Sequence, residues 1–252
     1  MAVIAAVSAL AVFSWFFTRK MIRPLEKSRK EQNAFIAAAS HELRSPLTVI
    51  QTSLSAVSYA DPEQTEHFIS ISLDECKRMS RLIQDMLSLS RSDNHTWVLD
   101  CTSCEIDTLL LDVYEKYEQT ARHKKKQLLI ELPEDSLPVC FCDSLKISQA
   151  LAILIDNALA YVPEGGMIRL SARQEAASVS LFVADNGPGI PDSEKEAVFQ
   201  RFYRSDTSRN DKQHFGLGLC IAKEIALLHH GTLSVSDTPG GGATFQLKLP
   251  VH

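Results

Sequence analysis

The chain has 252 residues, 45% of them hydrophobic and 23% charged, close to the globular average, which excludes wholesale disorder, collagen-like repeats and a disulfide scaffold. That length suits one large domain or two modest ones. The formal net charge of −5 makes no general case for a nucleic-acid binder, and no nucleic-acid partner is expected.

The average hides an uneven distribution. Residues 1–17, MAVIAAVSALAVFSWFF, carry no charge, and residues 18–31 then hold Arg19, Lys20, Arg23, Lys27, Arg29 and Lys30 against Glu26 and Glu31. An uncharged run of that length lies at the short limit for a bilayer-spanning helix, and Trp15 with the two phenylalanines after it suits the interface. The basic flank comes after the run, which places the rest of the chain on the cytoplasmic side. A signal peptide wants positive charge before the apolar stretch and small residues after it, whereas aromatics and TRKMIR stand there instead; a buried core helix is the plainer alternative. The expectation is a transmembrane helix at 1–18 in contact with lipid, in a single-pass protein of the inner or plasma membrane, then a juxtamembrane linker helix at 19–34.

From 24 to about 59 the pattern is helical. Ile36, Leu43, Leu47, Ile50, Leu54 and Val57 form one apolar stripe, and Ala60-Asp61-Pro62 breaks it. A second helical stretch from 63 to about 91 presents Ile69, Cys76, Met79, Ile83 and Met86, with Leu73, Leu82 and Leu87 beside them. Two amphipathic helices in a hairpin cannot enclose a core. Pairing two hairpins gives a four-helix bundle, so a homodimer is expected. Residues 92–95 read as a linker. Beyond Trp97 helical patterns at about 106–122, 145–162 and 217–230 alternate with strand-like runs at 127–132, 167–173, 179–184, 232–236 and 244–249.

The six cysteines, Cys76, Cys101, Cys104, Cys140, Cys142 and Cys220, fall on the expected cytoplasmic side, where thiols stay reduced. C-x-x-C at 101–104 and C-x-C at 140–142 can in principle pool into a four-thiolate zinc site, but each half is a weak signal and ordinary reduced cysteines are the better reading.

Chemistry first shows at SHELRSPL, residues 40–47. At 100° per residue His41 points about 140° from Ile36 and about 160° from Leu43, away from the stripe. Imidazole is largely neutral and nucleophilic near neutral pH, and Glu42 can accept an Nδ1 proton, leaving the Nε2 lone pair free. Ser45 shares that face one turn on. Pro46 lacks an N–H and crowds the carbonyl of Glu42, which should bend or loosen the helix.

Four further clusters suit a nucleotide with its metal ion. Asp185 ends a strand-like run and opens DNGPGI; a carboxylate accepts from the exocyclic amine of adenine, while Gly187 and Gly189 let backbone approach the base. Gly216-Leu217-Gly218-Leu219 opens a helix whose first amides can receive phosphate oxygens, although it matches neither a dinucleotide fingerprint nor a Walker loop. FQRFYR at 199–204 precedes a polar stretch at 205–213, an aromatic-anchored lid with Arg201 and Arg204 available to phosphates. Asn157, in LIDNALAY at 154–161, offers one amide oxygen to a Mg²⁺ that otherwise keeps waters and phosphate oxygens.

In order and spacing these motifs resemble the transmitter core of a bacterial two-component sensor histidine kinase, over about residues 24–250. SHELRSPL resembles the H-box, LIDNALAY the N-box, DNGPGI the G1 box, FQRFYR the F-box, GLGL the G2 box and PGGGATF at 239–245 the last glycine box. The resemblance implies an α+β chain: a dimerisation and histidine phosphotransfer domain at 35–92, then a catalytic α/β sandwich at 96–252 of the kind shared with gyrase, Hsp90 and MutL. It implies that His41 is phosphorylated from ATP with Glu42 assisting, that Asn157 holds Mg²⁺, and that Asp185 reads adenine. The remaining implied ATP-binding residues are Tyr161, Gly187, Gly189, Arg201, Arg204, Gly216, Leu217, Gly218 and Leu219. The phosphoryl group then passes to an aspartate of a response regulator receiver domain.

The chain departs from the pattern in four places. Ile153 stands where the N-box often has its first asparagine, Ala160 where a phosphate-contacting lysine is usual, and His214 where the G2 box usually has another glycine. Ser45 replaces the usual threonine or asparagine tied to dephosphorylating the regulator, and its hydroxyl keeps that role open. Slow but real autophosphorylation is therefore expected, with a weak transmitter acting as a nucleotide-gated scaffold as the alternative. No sensor domain is visible, so Met1 reads as an internal start, a truncation or a fragment boundary.

Overall fold

In the computed structural model residues 2–93, 96–204 and 215–251 are described. The chain divides into two compact units, Met1–Met79 and Ser80–His252; the polar stretch 205–213, His214 and part of the 92–95 linker lie outside the described residues.

In the first unit the helix α1 (Ala2–Phe17) runs through a wider π-helical turn (Thr18–Ile22) into α2 (Arg23–Val57). The first cations fold back over the aromatics before them, with the Arg19 guanidinium 4.7 Å from the Trp15 ring and the Lys20 ammonium 5.2 Å from Phe16. Among the described residues no helix is long and apolar enough to cross a membrane. The 16 residues of α1 rise only about 24 Å at 1.5 Å per residue, against about 30 Å of hydrocarbon.

Asp61-Pro62 makes the hairpin turn. The Asp61 carboxylate accepts the Gln64 N–H at 2.8 Å and Pro62, with no N–H to satisfy, opens α3 (Pro62–Asp93). The helix α2 continues through Pro46. The buried row of α2 consists of Ala39, Pro46 and Ser53, seven residues apart, rather than the larger residues of the apolar stripe. Ile36, Leu47 and Leu54 stay 46–55% exposed, as do Ile69, Leu73, Ile83 and Leu87 of α3 at 43–56%. The buried row of α2 is thus made of small residues, while large apolar side chains of both helices face out.

The second unit is built on a five-stranded sheet of order β2 (Gln127–Glu131), β4 (Met167–Glu175), β5 (Ser178–Asp185), β7 (Ala243–Pro250), β6 (Thr232–Asp237). The pair β2 and β4 is parallel and the others antiparallel. These are the five strands expected from the alternation, and β7 shows its cause: Ala243, Phe245, Leu247 and Leu249 are buried while their neighbours are not. The helices α4 (Ile106–His123), α5 (Ser144–Tyr161) and α6 (Gly218–Leu228) pack on this sheet, with Ile147, Leu151, Leu154 and Ile155 of α5 fully buried.

A second, two-stranded sheet pairs β1 (Thr102–Glu105) with β3 (Val139–Cys142). Immediately after β3, Asp143 caps α5: its carboxylate accepts the amides of Lys146 and Asp100, and its own N–H donates to His229 Nε2 at 3.0 Å. His229 Nδ1 in turn meets the Ile225 carbonyl at 2.8 Å, which fixes the neutral Nδ1–H tautomer and makes this histidine a strut between α5 and α6.

Candidate functional site

The central strand β5 carries Asp185 at its C-terminal end, where it lines a cavity of about 400 Å³, a size suited to a nucleotide-scale ligand. The carboxylate is buried, and Oδ1 accepts the amides of Gly187 at 2.8 Å and Ala243 at 3.2 Å. Burial raises its pKa against the lowering effect of those two amides. Asn186 accepts the Met167 N–H at 2.8 Å through its side chain, which locks the turn onto β4. The glycine that matters most beneath Asp185 is Gly242: a Cβ there would run into the Asp185 carbonyl, and its φ is +107°.

Of the residues expected at this site, Asn157, Tyr161, Asp185, Gly189, Arg204, Gly216, Leu217, Gly218 and Leu219 all line the cavity. Gly187 and Arg201 do not. Gly187 instead holds Asp185, and a Cβ on it would lie 2.9 Å from Oδ1; Arg201 sits close enough to Cys220 to act on that thiol. Ile153, one of the departures, also lines the cavity, presenting a methyl group where an amide is usual.

One wall of the cavity is set by two loop ends. Phe202 donates its N–H to the Gly216 carbonyl at 2.9 Å, so the chain leaves this wall and returns to it at one place. Gly216 has φ +73° and a Cβ would lie 2.5 Å from the Tyr203 carbonyl, so glycine is required there. The aromatic anchor is Phe199, edge-on to buried Phe245 with ring centroids 6.3 Å apart. From Gly218 the first turn of α6 opens toward the cavity.

Several lining residues were invisible in the sequence. Asp156 meets Tyr117 Oη of α4 at 3.0 Å, and burial first, then Asp156, pushes that phenol well up. Glu194 lines the cavity with a buried Oε2 that has no hydrogen-bond partner among the described residues. The second unit begins at Ser80, and Arg81, Gln84 and Asp85 from the end of α3 also line it. These pairings join elements 39 or more residues apart in the chain, and no local pattern signals them.

Burial raises the Asp85 carboxyl from 3.8 to about 6, with Arg81 pulling it down by less. Between those pH values the folded chain holds a proton that the unfolded chain has lost, so stability falls as pH rises from about 4 to about 6. Asp85→Asn is expected to stabilise the protein at pH 7 by about 1–2 kcal/mol after discounting for partial solvent exposure. Urea unfolding should show that gain at pH 7 and none at pH 4; equal gains at both would assign the effect to packing.

His41 lies in the first unit, on α2, with its side chain 80% exposed and Nδ1 3.8 Å from a Glu42 carboxylate oxygen, beyond hydrogen-bond length. Ser45 is exposed one turn on. As for metals, no group of three or more His, Cys, Asp or Glu side chains among the described residues is arranged to hold an ion.

Comparison with known proteins agrees with this geometry. Residues 31–95 match the His Kinase A (phospho-acceptor) domain model, and residues 142–252 match that of the histidine kinase-, DNA gyrase B- and HSP90-like ATPases. The chain is 31% identical over 246 residues to the adaptive-response sensory kinase SasA of Crocosphaera subtropica, covering 94% of this chain and 64% of that protein. It is 35% identical to the sensor histidine kinase WalK of Bacillus subtilis, covering 89% and 38% respectively. The chain thus spans about two thirds or less of the length of these relatives. Among solved structures, the Acinetobacter baumannii histidine kinase AdeS matches with a TM-score of 0.68 at 25% identity, covering 84% of this chain and 98% of that one. A complex of the histidine kinase ThkA with the response regulator protein TrrA has the same fold, with a TM-score of 0.73 at 23% identity over 96% of this chain and 67% of that one. With a phospho-acceptor hairpin followed by an ATPase-type sandwich in one chain, the protein belongs to the two-component sensor histidine kinases.

Proposed function

We propose that the chain is the transmitter core of a membrane-anchored, homodimeric sensor histidine kinase that phosphorylates His41 from Mg-ATP and passes the phosphoryl group to an aspartate of a response regulator. The observation that carries the reading is a nucleotide-sized cavity around buried Asp185 in a chain that also presents a solvent-exposed histidine on a bundle helix. The domains are a phosphotransfer domain at 35–92 and a catalytic domain at 96–252. The uncharged run at 1–17 with its basic flank supports an anchor at the membrane, and the outward-facing apolar residues of the hairpin support the dimer.

In this reading the Asp185 carboxylate accepts the adenine amine, while Arg204 and the amides at Gly216–Leu219 face the phosphates. Asn157 offers an amide oxygen, and a Mg²⁺ held there with the phosphates would offset their charge. A swing of the Glu42 side chain brings it within hydrogen-bonding distance of Nδ1 and leaves the Nε2 lone pair outward. Nε2 attacks the γ-phosphorus in line, the bond from that phosphorus to its bridging oxygen breaks, and ADP leaves. The protein supplies position and charge; the acceptor nitrogen and phosphorus must be brought to about 3–3.5 Å. Ser45, exposed one turn from His41, suits a hydroxyl that orients water for the reverse task of dephosphorylating the regulator.

Ile153 in the cavity wall and Ala160 on α5 favour a second reading, a slow transmitter acting chiefly as a nucleotide-gated scaffold. Incubation with γ-labelled ATP and Mg²⁺ distinguishes the two: acid-labile, base-stable label on the chain supports the kinase, and nucleotide binding without label supports the scaffold. Replacing Ala160 with lysine restores a cation near the triphosphate. It should raise ATP affinity or the labelling rate by about 3- to 30-fold, the worth of one partly solvated charge-assisted contact, and no change in either would show that the departure at 160 is silent.

A further inference from the structure

Three cysteines share the buried face of the small sheet. In a strand, residues two apart point the same way, so Cys140 and Cys142 both turn inward, with 1% and 2% exposure, while Phe141 between them is 60% exposed. Cys104, on β1, faces the same side and retains 8%. The register sets Cys104 directly opposite Cys140 and Thr102 opposite Cys142. Cys104 and Cys142 lie close enough for each thiol to act on the other's ionisation.

We propose that Cys104 and Cys140 are a redox modification site, closing to a cross-strand disulfide when the protein meets a peroxide. Register selects the pair. Directly opposed residues of antiparallel strands have Cα atoms about 4.5–5.5 Å apart, within the disulfide range, whereas diagonal neighbours such as Cys104 and Cys142 are at about 7–8 Å. Cys101, the other cysteine of the C-x-x-C, lies outside the paired residues of β1 and β3, so the sequence motif does not define the pair.

Each thiol has its own part. Burial raises all three thiols, Cys140 to about 11 and Cys142 higher still, while at Cys104 the neighbouring Cys142 opposes part of that rise. Cys104 is also the most exposed of the three, so it is where a small, uncharged oxidant enters. Its thiolate attacks one oxygen of hydrogen peroxide, the O–O bond breaks, and a sulfenic acid and hydroxide form. The Cys140 sulfur then attacks the Cys104 sulfur, the S–S bond forms, and the hydroxyl leaves with the Cys140 proton as water. The hydroxide takes up the proton that Cys104 lost. Two thiols are oxidised and one peroxide is reduced to two waters. The bond ties β1 to the strand that leads straight into Asp143, the cap of α5 and the partner of Asp100 and His229, so it restrains the N-terminal end of the helix that carries Asn157.

The test is mass spectrometry on the full chain treated with hydrogen peroxide, with remaining thiols alkylated before digestion. The expected product has lost two hydrogens and yields one crosslinked peptide pair, Cys104 with Cys140. Cys101→Ser and Cys76→Ser should leave that product unchanged, Cys142→Ser should slow its formation severalfold, and Cys140→Ser should leave Cys104 as an uncrosslinked oxyacid. The oxidised protein should also unfold at a temperature higher by roughly 5 °C or more. A Cys101–Cys104 or Cys104–Cys142 crosslink, alkylation of all six cysteines after peroxide, or stoichiometric zinc uptake by the reduced chain with protection of these thiols would each overturn the proposal. The wild-type peptide map decides the pairing even if a serine variant fails to fold.

Discussion

His41→Gln is expected to abolish acid-labile, base-stable phosphoryl label on the chain while leaving ATP binding intact. Glutamine keeps a polar side chain of moderate length but its amide nitrogen has no available lone pair, so no phosphoramidate can form. Loss of an essential nucleophile costs several orders of magnitude in rate. Stability should hardly change, because the imidazole is 80% exposed and exposed substitutions of this kind stay within about 0.5 kcal/mol. Labelling, calorimetric titration with ATP and thermal melts on one preparation separate the outcomes. Residual label at more than a few per cent of the wild-type level would place the acceptor elsewhere, and ATP turnover indifferent to the substitution would make the protein a plain ATPase of the same fold. Glu42→Gln should slow labelling by roughly 10²-fold without preventing it, since Glu42 orients the ring and holds a proton but does not take the phosphoryl group.

Asp185→Asn should lower ATP affinity by about 10- to 100-fold, corresponding to the 1.5–3 kcal/mol of a hydrogen bond to a charged acceptor. The substitution is informative because the asparagine oxygen can still accept the amides of Gly187 and Ala243, now made by Oδ1. The turn is kept, and an NH₂ group then stands where the second carboxylate oxygen was. A donor faces the donor amine of adenine, whereas the O6 acceptor of guanine would be matched, so ATP should lose far more than GTP. Calorimetric titration with both nucleotides checks this, and equal losses would mean that Asp185 supports the wall without reading the base. Acid acts in the same direction: because burial raises this carboxyl, ATP affinity should begin to fall on acidification at a higher pH than a solvated aspartate would allow.

The strands of the large sheet and the helices on it were legible because a half-buried strand must alternate and a half-buried helix must repeat near every fourth residue. Alternation in β7 is a direct record of which side meets the core. Asp185 and the glycines at 216 and 218 were legible for a related reason: each sits at an element's end, where short-range composition already marks a strand-to-turn or loop-to-helix junction. The hairpin turn was announced by Asp61-Pro62, a cap and a first-turn proline side by side.

What the structure adds to the sequence involves segments distant in the chain. Gly187 and Arg201 belong to matching motifs, yet one braces Asp185 and the other lies near Cys220 rather than in the cavity wall. In α2 the buried row is Ala39, Pro46 and Ser53; hydrophobicity picked out the stripe that faces outward, because a small residue inside a hairpin carries little hydrophobic signal. Near the start, an uncharged run proved to be a helix of 16 residues continuing into α2, since charge pattern marks where lipid is favoured but helix length depends on the residues C-terminal to the run.

By itself the sequence determined the order of elements, the exposed histidine and the residue types able to meet a nucleotide, because these depend on periodicity and on junctions a few residues long. Only the tertiary structure decided that Ala243 shares Asp185 with Gly187, that Tyr117 holds Asp156, and that Cys104 faces Cys140 rather than Cys101. Each of those contacts is a register or packing relation between segments far apart in the chain, fixed by how the β-strands pair and the helices settle on the sheet, and no local pattern encodes it.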